Sequence, residues 1–240
     1  MIHLITYGNK KYTHAKERIY DEAKNVGWFD TITIYGPDDL SKDFKNKFKK
    51  VLDKSRGGGY WIWKSHIIKK KLEQINNNDI LIYLDAGFTI NKKGEKRFRE
   101  YIEMINKSDE GILSFQNGQT ERLYTTKQIF EYFKVDQNSS IATSQQLLGG
   151  IRIMKKNNNL INLINMECKV YSDNQLLITD YYNKNSQESY FKDNRHDQSV
   201  FSIIRKISKN PIIIKNESYF KNYGNQESLK FPFWETRKRK

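Results

Sequence analysis

The sequence predicts an α/β protein, a single domain in which a mainly parallel sheet is flanked by helices. Three observations lead there. Strand-like and helix-like segments alternate over residues 1–135, the order in which crossover helices join parallel strands. DILIYLD, residues 79–85, is an apolar run of the kind covered on both faces in a parallel sheet. At 240 residues, 37% hydrophobic and 13% aromatic with three prolines, the chain can enclose one sizeable core and does not read as a disordered basic tail.

Taken in order, the apolar run IHLIT (2–6) reads as the first strand, and Ala15, Ile19, Ala23 and Val26 follow at helical spacing. TITIY (31–35) has the composition of a second strand, stopped by Gly36-Pro37. Asp38, Asp39 or Ser41 can cap the next helix, which carries Phe44, Phe48 and Leu52 on one face. Beyond Gly57-Gly58-Gly59, the positions of Ile62, Ile67, Ile68, Leu72 and Ile75 mark a helix leading into the strand at 79–85. Phe98, Ile102 and Ile105 place a helix ahead of the strand GILSF (111–115), and TKQIFEYF (126–133) reads as a short helix. The second half is less regular. LLGGIRIM (147–154) reads as one strand, NLINLINMECKVY as a helix, RHDQSVFSIIRKIS (195–208) as a capped helix and PIIIK (211–215) as a last strand. No repeat or linker divides the chain, so residues 1–240 are expected to form one domain.

Forty-two Lys and Arg against 28 Asp and Glu give a formal charge of +14. That charge points to an anionic partner: a nucleic acid, a membrane surface or a phosphorylated small molecule. The total is inflated by composition, because the 32 Lys, 28 Ile and 23 Asn are residues that an AT-rich coding sequence favours. Position says more. Between Lys42 and Lys71 lie eleven basic residues against Asp43 and Asp53, and the terminal RKRK adds four. The single cysteine, Cys168, excludes an internal disulfide framework and a cysteine-cluster metal site. The apolar run before Gly8 is too short for a signal peptide and no run is long enough to span a membrane, so a cytoplasmic protein is expected.

In open α/β sheets, ligands bind beyond the carboxyl ends of the strands. Those ends are Thr6-Tyr7-Gly8, Asp85-Ala86-Gly87 and Gln116-Asn117-Gly118. Asp85 stands out as an acid directly behind an apolar strand, with a glycine two residues on that lets a ligand approach the backbone; a cap on the following loop is the other reading. Arg56-Gly57-Gly58-Gly59-Tyr60-Trp61-Ile62-Trp63-Lys64 combines a tight bend with a helix start, where free N–H groups favour an anion. It is not a P-loop, and no GxGxxG occurs. The tryptophans fit either a core or a ligand contact. Arg195-His196-Asp197-Gln198-Ser199 gathers donors, acceptors and a base at a helix start, or supplies only its N-cap. Gln145-Gln146-Leu147-Leu148-Gly149-Gly150 adds paired glycines.

GGGYWIWKS, YLDAG, QQLLGGIRI and RHDQSVFS in this order resemble nucleotide-sugar-dependent glycosyltransferases of the A-type fold, most closely bacterial and large-DNA-virus members with GYWxWK, LDAG and RHDQS motifs. The resemblance covers residues 1–208. It implies a single Rossmann-like catalytic domain that binds a nucleoside diphosphate sugar, with UDP the usual nucleotide, and transfers the sugar to a glycan or other hydroxyl acceptor. By position it implies Thr6, Tyr7 and Gly8 at the nucleotide base, Lys64 and Arg56 with Trp63 near the diphosphate, and Asp85-Ala86-Gly87 at the ribose and a divalent metal. Asp85 is the first acid of that family's DxD motif, and Gly87 stands where the second belongs. Dependence on Mn²⁺ or Mg²⁺ is therefore open, with Asp85 the only metal ligand the motif offers and Lys64 and Arg56 the other means of neutralising the leaving group. If the transfer inverts configuration, Asp197 is the expected general base, with His196 and Glu121 as lesser candidates.

Two further readings stay open on the sequence. A basic single-strand-binding protein would use Lys42–Lys71, with Trp61 and Trp63 as stacking residues, but such binding has no need of YLDAG or RHDQS. A sugar nucleotidyltransferase would share the fold class, but the chain lacks a glycine-rich, Arg- and Lys-containing loop after the first strand. No specific nucleic-acid partner is expected, and the terminal basic residues leave a peripheral membrane contact open.

Overall fold

The structure, a computed structural model, describes residues 1–239; Lys240, the last of the terminal basic residues, lies outside them. The chain opens with strand β1 (Ile2–Tyr7), helix α1 (Thr13–Val26) and strand β2 (Thr31–Tyr35). Ala15, Ile19 and Ala23 form the buried stripe of α1, and Gly27 in the left-handed region ends it. Ser41, not Asp38 or Asp39, caps the next helix, its Oγ accepting from the Phe44 N–H. Two short helices replace the one expected here, α2 (Lys42–Lys47) and α3 (Lys49–Leu52), broken at Phe48. A single turn, α4 (Gly57–Tyr60), then leads into α5 (Trp63–Gln74) and the central strand β3 (Ile80–Leu84), every residue of which is buried.

A two-residue strand β4 (Thr89–Ile90), helix α6 (Glu95–Asn106), strand β5 (Ile112–Thr120) and helices α7 (Lys127–Phe133) and α8 (Ser140–Thr143) follow. The strand expected at 147–154 is two strands, β6 (Gln145–Leu147) and β7 (Ile151–Lys155). The break at Leu148-Gly149-Gly150 lets β6 pair with the far half of β5 while β7 pairs with β3 and the near half of β5. Helices α9 (Asn158–Asp173) and α10 (Asp197–Ile207) and strands β8 (Ile212–Ile214) and β9 (Phe233–Trp234) complete the chain.

Seven strands make one sheet, in the order β2-β1-β3-β7-β5-β6 with β8 beside β5. The β2-β1-β3 half is parallel, as the alternation of the first segments requires, and β8 runs parallel to β5. β7 enters antiparallel between β3 and β5, so the sheet is mixed. Along β3, Ile80, Ile82 and Leu84 point to one face, where Ile19 and Ala23 of α1 and Phe98 and Ile105 of α6 cover them. Leu81 and Tyr83 point to the other, against Trp63, Ile67 and Ile68 of α5 and Leu160 and Ile164 of α9. The period-2 alternation of a strand thus divides one apolar run between two cores. β4 and β9 form a separate antiparallel pair that returns residues after 214 to the carboxyl end of β3.

Candidate active site

The carboxyl ends of β1 and β3 and the glycine break between β6 and β7 open on one cleft of about 660 Å³, within the size range of small-molecule sites. Its wall beside β1 is an aromatic stack: Tyr7 lies on Trp63 with centroids 3.8 Å apart. Burial, then Asp39 and Asp38, push the Tyr7 hydroxyl up to about 12, so it is neutral at physiological pH. The turn at Gly57–Tyr60 has an unusual cause. Gly57, Gly58, Gly59, Tyr60 and Trp61 all take positive φ, one left-handed turn in which a Cβ on Gly59 would lie 2.8 Å from the Leu52 Cα. Three successive glycines make that turn affordable. It aims Trp61 into the cleft, and the Trp63 indole N–H locks the turn by donating to the Gly57 carbonyl at 2.9 Å.

Lys64, only 2% exposed, is the centre of the charged floor. Its Nζ lies 2.8 Å from Asp197 and 3.5 Å from Asp85 and donates to the Gly149 carbonyl at 3.1 Å. Behind Asp197 stands Arg152, fully buried, which holds Glu167 with two bonds of 2.7 and 3.0 Å and reaches Asp197 at 3.7 Å. Burial pushes Asp197 up to about 6, against the pull of Lys64 and Arg152. Asp85 receives the Tyr83 hydroxyl on the same oxygen that faces Lys64, and its other oxygen is so close to Gly150 that a Cβ there would lie 2.9 Å away. A side chain at 150 would displace the carboxylate.

Of the residues to which the resemblance assigns a role, Tyr7, Gly8, Trp63, Lys64, Asp85, Ala86, Gly87 and Asp197 line this cleft together. Four do not. Thr6 is buried in β1 with its side chain away from the cleft walls, because strand alternation sends neighbours to opposite faces. Arg56 turns outward to Asp180 at 3.0 Å and Asp193 at 3.7 Å. His196 is buried behind Trp61, its ring stacked on the indole at 5.4 Å and its Nδ1 bound to the Ile178 carbonyl; it buttresses the aromatic wall and is not placed to act as a base. Glu121 is fully buried among Thr125, Gln146, Ser202 and Lys206, a structural network away from the cleft. Sequence reasoning passed over Arg18, Tyr83, Asn216 and Tyr219, and read Arg237 and Arg239 only as part of the basic terminus. Tyr83 alone carried a local signal, being two residues before Asp85 and so on the same face of the strand.

The resemblance in the sequence implies a divalent cation, and the donors here fit one poorly. Such ions at phosphate sites are held by one or two carboxylates together with substrate phosphates and waters. One oxygen of Asp85 is engaged by Tyr83 and Lys64, Asp197 is balanced by Lys64 and Arg152, and Gly87 supplies no side chain. Among the described residues no group of three His, Cys, Asp or Glu could hold a metal ion.

No family model matches the sequence, and no curated protein matches it. Solved structures do resemble it. A glycosyltransferase involved in the glycosylation of the major capsid of PBCV-1 superposes with a TM-score of 0.53 at 11% identity, covering 97% of this chain and 92% of that one. The bifunctional glycosyltransferase WbbM superposes with a TM-score of 0.52 at 6% identity, over 91% of this chain and 39% of its own. The chain has the glycosyltransferase A-type fold.

Proposed function

We propose that this chain is a glycosyltransferase that takes a sugar from a nucleoside diphosphate donor, with UDP the expected nucleotide, and passes it to a hydroxyl of a glycan acceptor. One observation carries the reading: Asp85, Lys64 and Asp197, from three separate segments, meet at the carboxyl ends of β1 and β3 on the floor of one cleft. That is where open α/β sheets bind ligands. The nucleotide base lies against Gly8 and the Tyr7–Trp63 stack, and the ribose reaches Asp85, whose carboxylate is held in one orientation by the Tyr83 hydroxyl. In an inverting transfer Asp197 takes the proton of the acceptor hydroxyl, its affinity for protons brought near neutral pH by burial. Lys64, fixed between the two carboxylates and the Gly149 carbonyl, keeps them at their positions without the rearrangement that solvent would need.

Incubation with a panel of UDP-, GDP-, CDP- and ADP-sugars, read by release of the nucleoside diphosphate, tests this. Slow donor hydrolysis that Asp85→Asn removes supports it. If no member of the panel is hydrolysed or raises the melting temperature, the reading fails.

A further inference from the structure

We propose that the donor's diphosphate is neutralised by the guanidinium groups of Arg237 and Arg239, brought to the cleft by the segment after β9 in place of a divalent cation. The inference rests on the donor reading above and names the groups that receive its leaving group.

The path of the segment supports it. β9 pairs with β4, Trp234 opposite Thr89 and Phe233 opposite Ile90, so the chain arrives beside the Asp85–Phe88 turn. There it is stitched down. The Lys238 N–H and the Thr236 hydroxyl both donate to the Gly87 carbonyl at 3.1 Å. Arg18 of α1 reaches across the same turn, donating to the carbonyls of Ala86 at 3.0 Å, Phe88 at 2.9 Å and Lys238 at 3.5 Å. A Cβ on Gly87 would lie 3.3 Å from the Arg237 Cα. The backbone of Arg237 therefore occupies the space into which a second acid at residue 87 would project.

Charge points the same way. Lys64 is the one basic residue of the 42–71 block that lines the cleft, and its ammonium already faces both Asp85 and Asp197. Positive charge for a diphosphate must come from elsewhere on the cleft wall. Arg195, Arg237 and Arg239 line it, and Arg195 is turned to Asp193 at 3.8 Å and lies over the Tyr124 ring at 4.8 Å. Arg237 is held on Glu235 Oε1 by two bonds of 2.7 and 3.1 Å, with most of its side chain exposed. The Arg239 guanidinium lies 5.5 Å from the Tyr12 ring, another lining residue, and among the described residues no carboxylate pairs with it. A guanidinium presents its donors in a planar fork that matches phosphate oxygens. Two of them on the wall of this cleft supply the positive charge that a metal supplies when a second acid is present.

Calorimetric titration with UDP, GDP, CDP and ADP, each in EDTA and in Mn²⁺, tests the proposal on the intact chain. Wild type is expected to bind its preferred diphosphate equally well in both buffers. Arg237→Gln/Arg239→Gln is expected to lose about tenfold or more in that affinity, while affinity for the corresponding nucleoside and the melting temperature stay unchanged. Arg239→Gln alone, which disturbs only the contact with Tyr12, is expected to weaken diphosphate binding without any folding effect. Binding that needs Mn²⁺, or a double variant that binds as wild type does, overturns the proposal and leaves the donor reading standing. Wild type that binds none of the four in either buffer overturns both.

Discussion

At the residue scale the account turns on three side chains. Asp85 is held by Tyr83 and Lys64 at the end of β3, and Asp85→Asn keeps its size while removing the charge. That substitution is expected to lower transfer by about 100-fold, the range for deleting one preorganised polar group, with the melting temperature little changed. Tyr83→Phe leaves the carboxylate in place but frees its orientation, and a smaller loss, about tenfold in kcat/KM, is expected. Asp197 sets the pH dependence. It accepts a proton only when ionised, and burial raises it to about 6, so the rate is expected to fall as pH drops through about 6, by about tenfold per unit well below it. Asp197→Asn should lower the activity by about 100-fold or more and leave a residual rate without this acid limb; an unchanged limb in the variant would assign it to another group. Asp85 and Asp197 were legible in the sequence because each ends or begins a strongly patterned element. Tyr83 was not, because a tyrosine within an apolar run reads as packing until the strand's two faces are told apart.

At the element scale the structure departs from the sequence in ways that matter to the site. The glycine triplet was legible as a tight bend, but its left-handed course through Tyr60 and Trp61 was not, since non-glycine residues rarely take positive φ. The single strand expected at 147–154 hid the Leu148-Gly149-Gly150 break whose carbonyl and N–H groups meet Lys64 and Gln198. Apolar residues on both sides made the run look continuous. Gly150→Ala would drive a Cβ against Asp85 and Phe88, and reduced donor affinity, read as a raised KM with the fold intact, is expected. Helix α9 supports the site from behind through Glu167. Glu167→Ala would leave Arg152 charged and buried with Asp197 as its remaining acid, 3.7 Å away. Such a loss costs about 3–5 kcal/mol, and chemical denaturation should show it as a lower midpoint.

At the scale of the whole molecule, class and order were legible: alternating elements, the buried β3 and the two helical faces all follow from hydrophobic periodicity. The meaning of the charge was not. Eleven basic residues between Lys42 and Lys71 drew attention to that block, yet of these Lys64 alone lines the cleft, while Lys71 is buried beside Thr33 and Lys47 and Lys49 are held by Ser172 and Asp53. Trp63, which a single-strand binder would offer for stacking, is 4% exposed and lies against Tyr7. Besides Lys64 and Arg195, the cationic residues that face the ligand space are Arg237 and Arg239 at the other end of the sequence, where they read only as part of the basic RKRK terminus. The β4–β9 pairing, a contact between segments more than 140 residues apart, brings that segment to Gly87. No helix among the described residues is long and apolar enough to cross a membrane.

A crystal structure of the chain soaked with UDP tests the central claim most directly. The account predicts the base beside Tyr7 and Gly8, the ribose at Asp85 and the diphosphate along the Asp85–Gly87 turn facing Arg237 and Arg239. UDP bound outside this cleft, or lying in it with the diphosphate turned away from that turn, would contradict it.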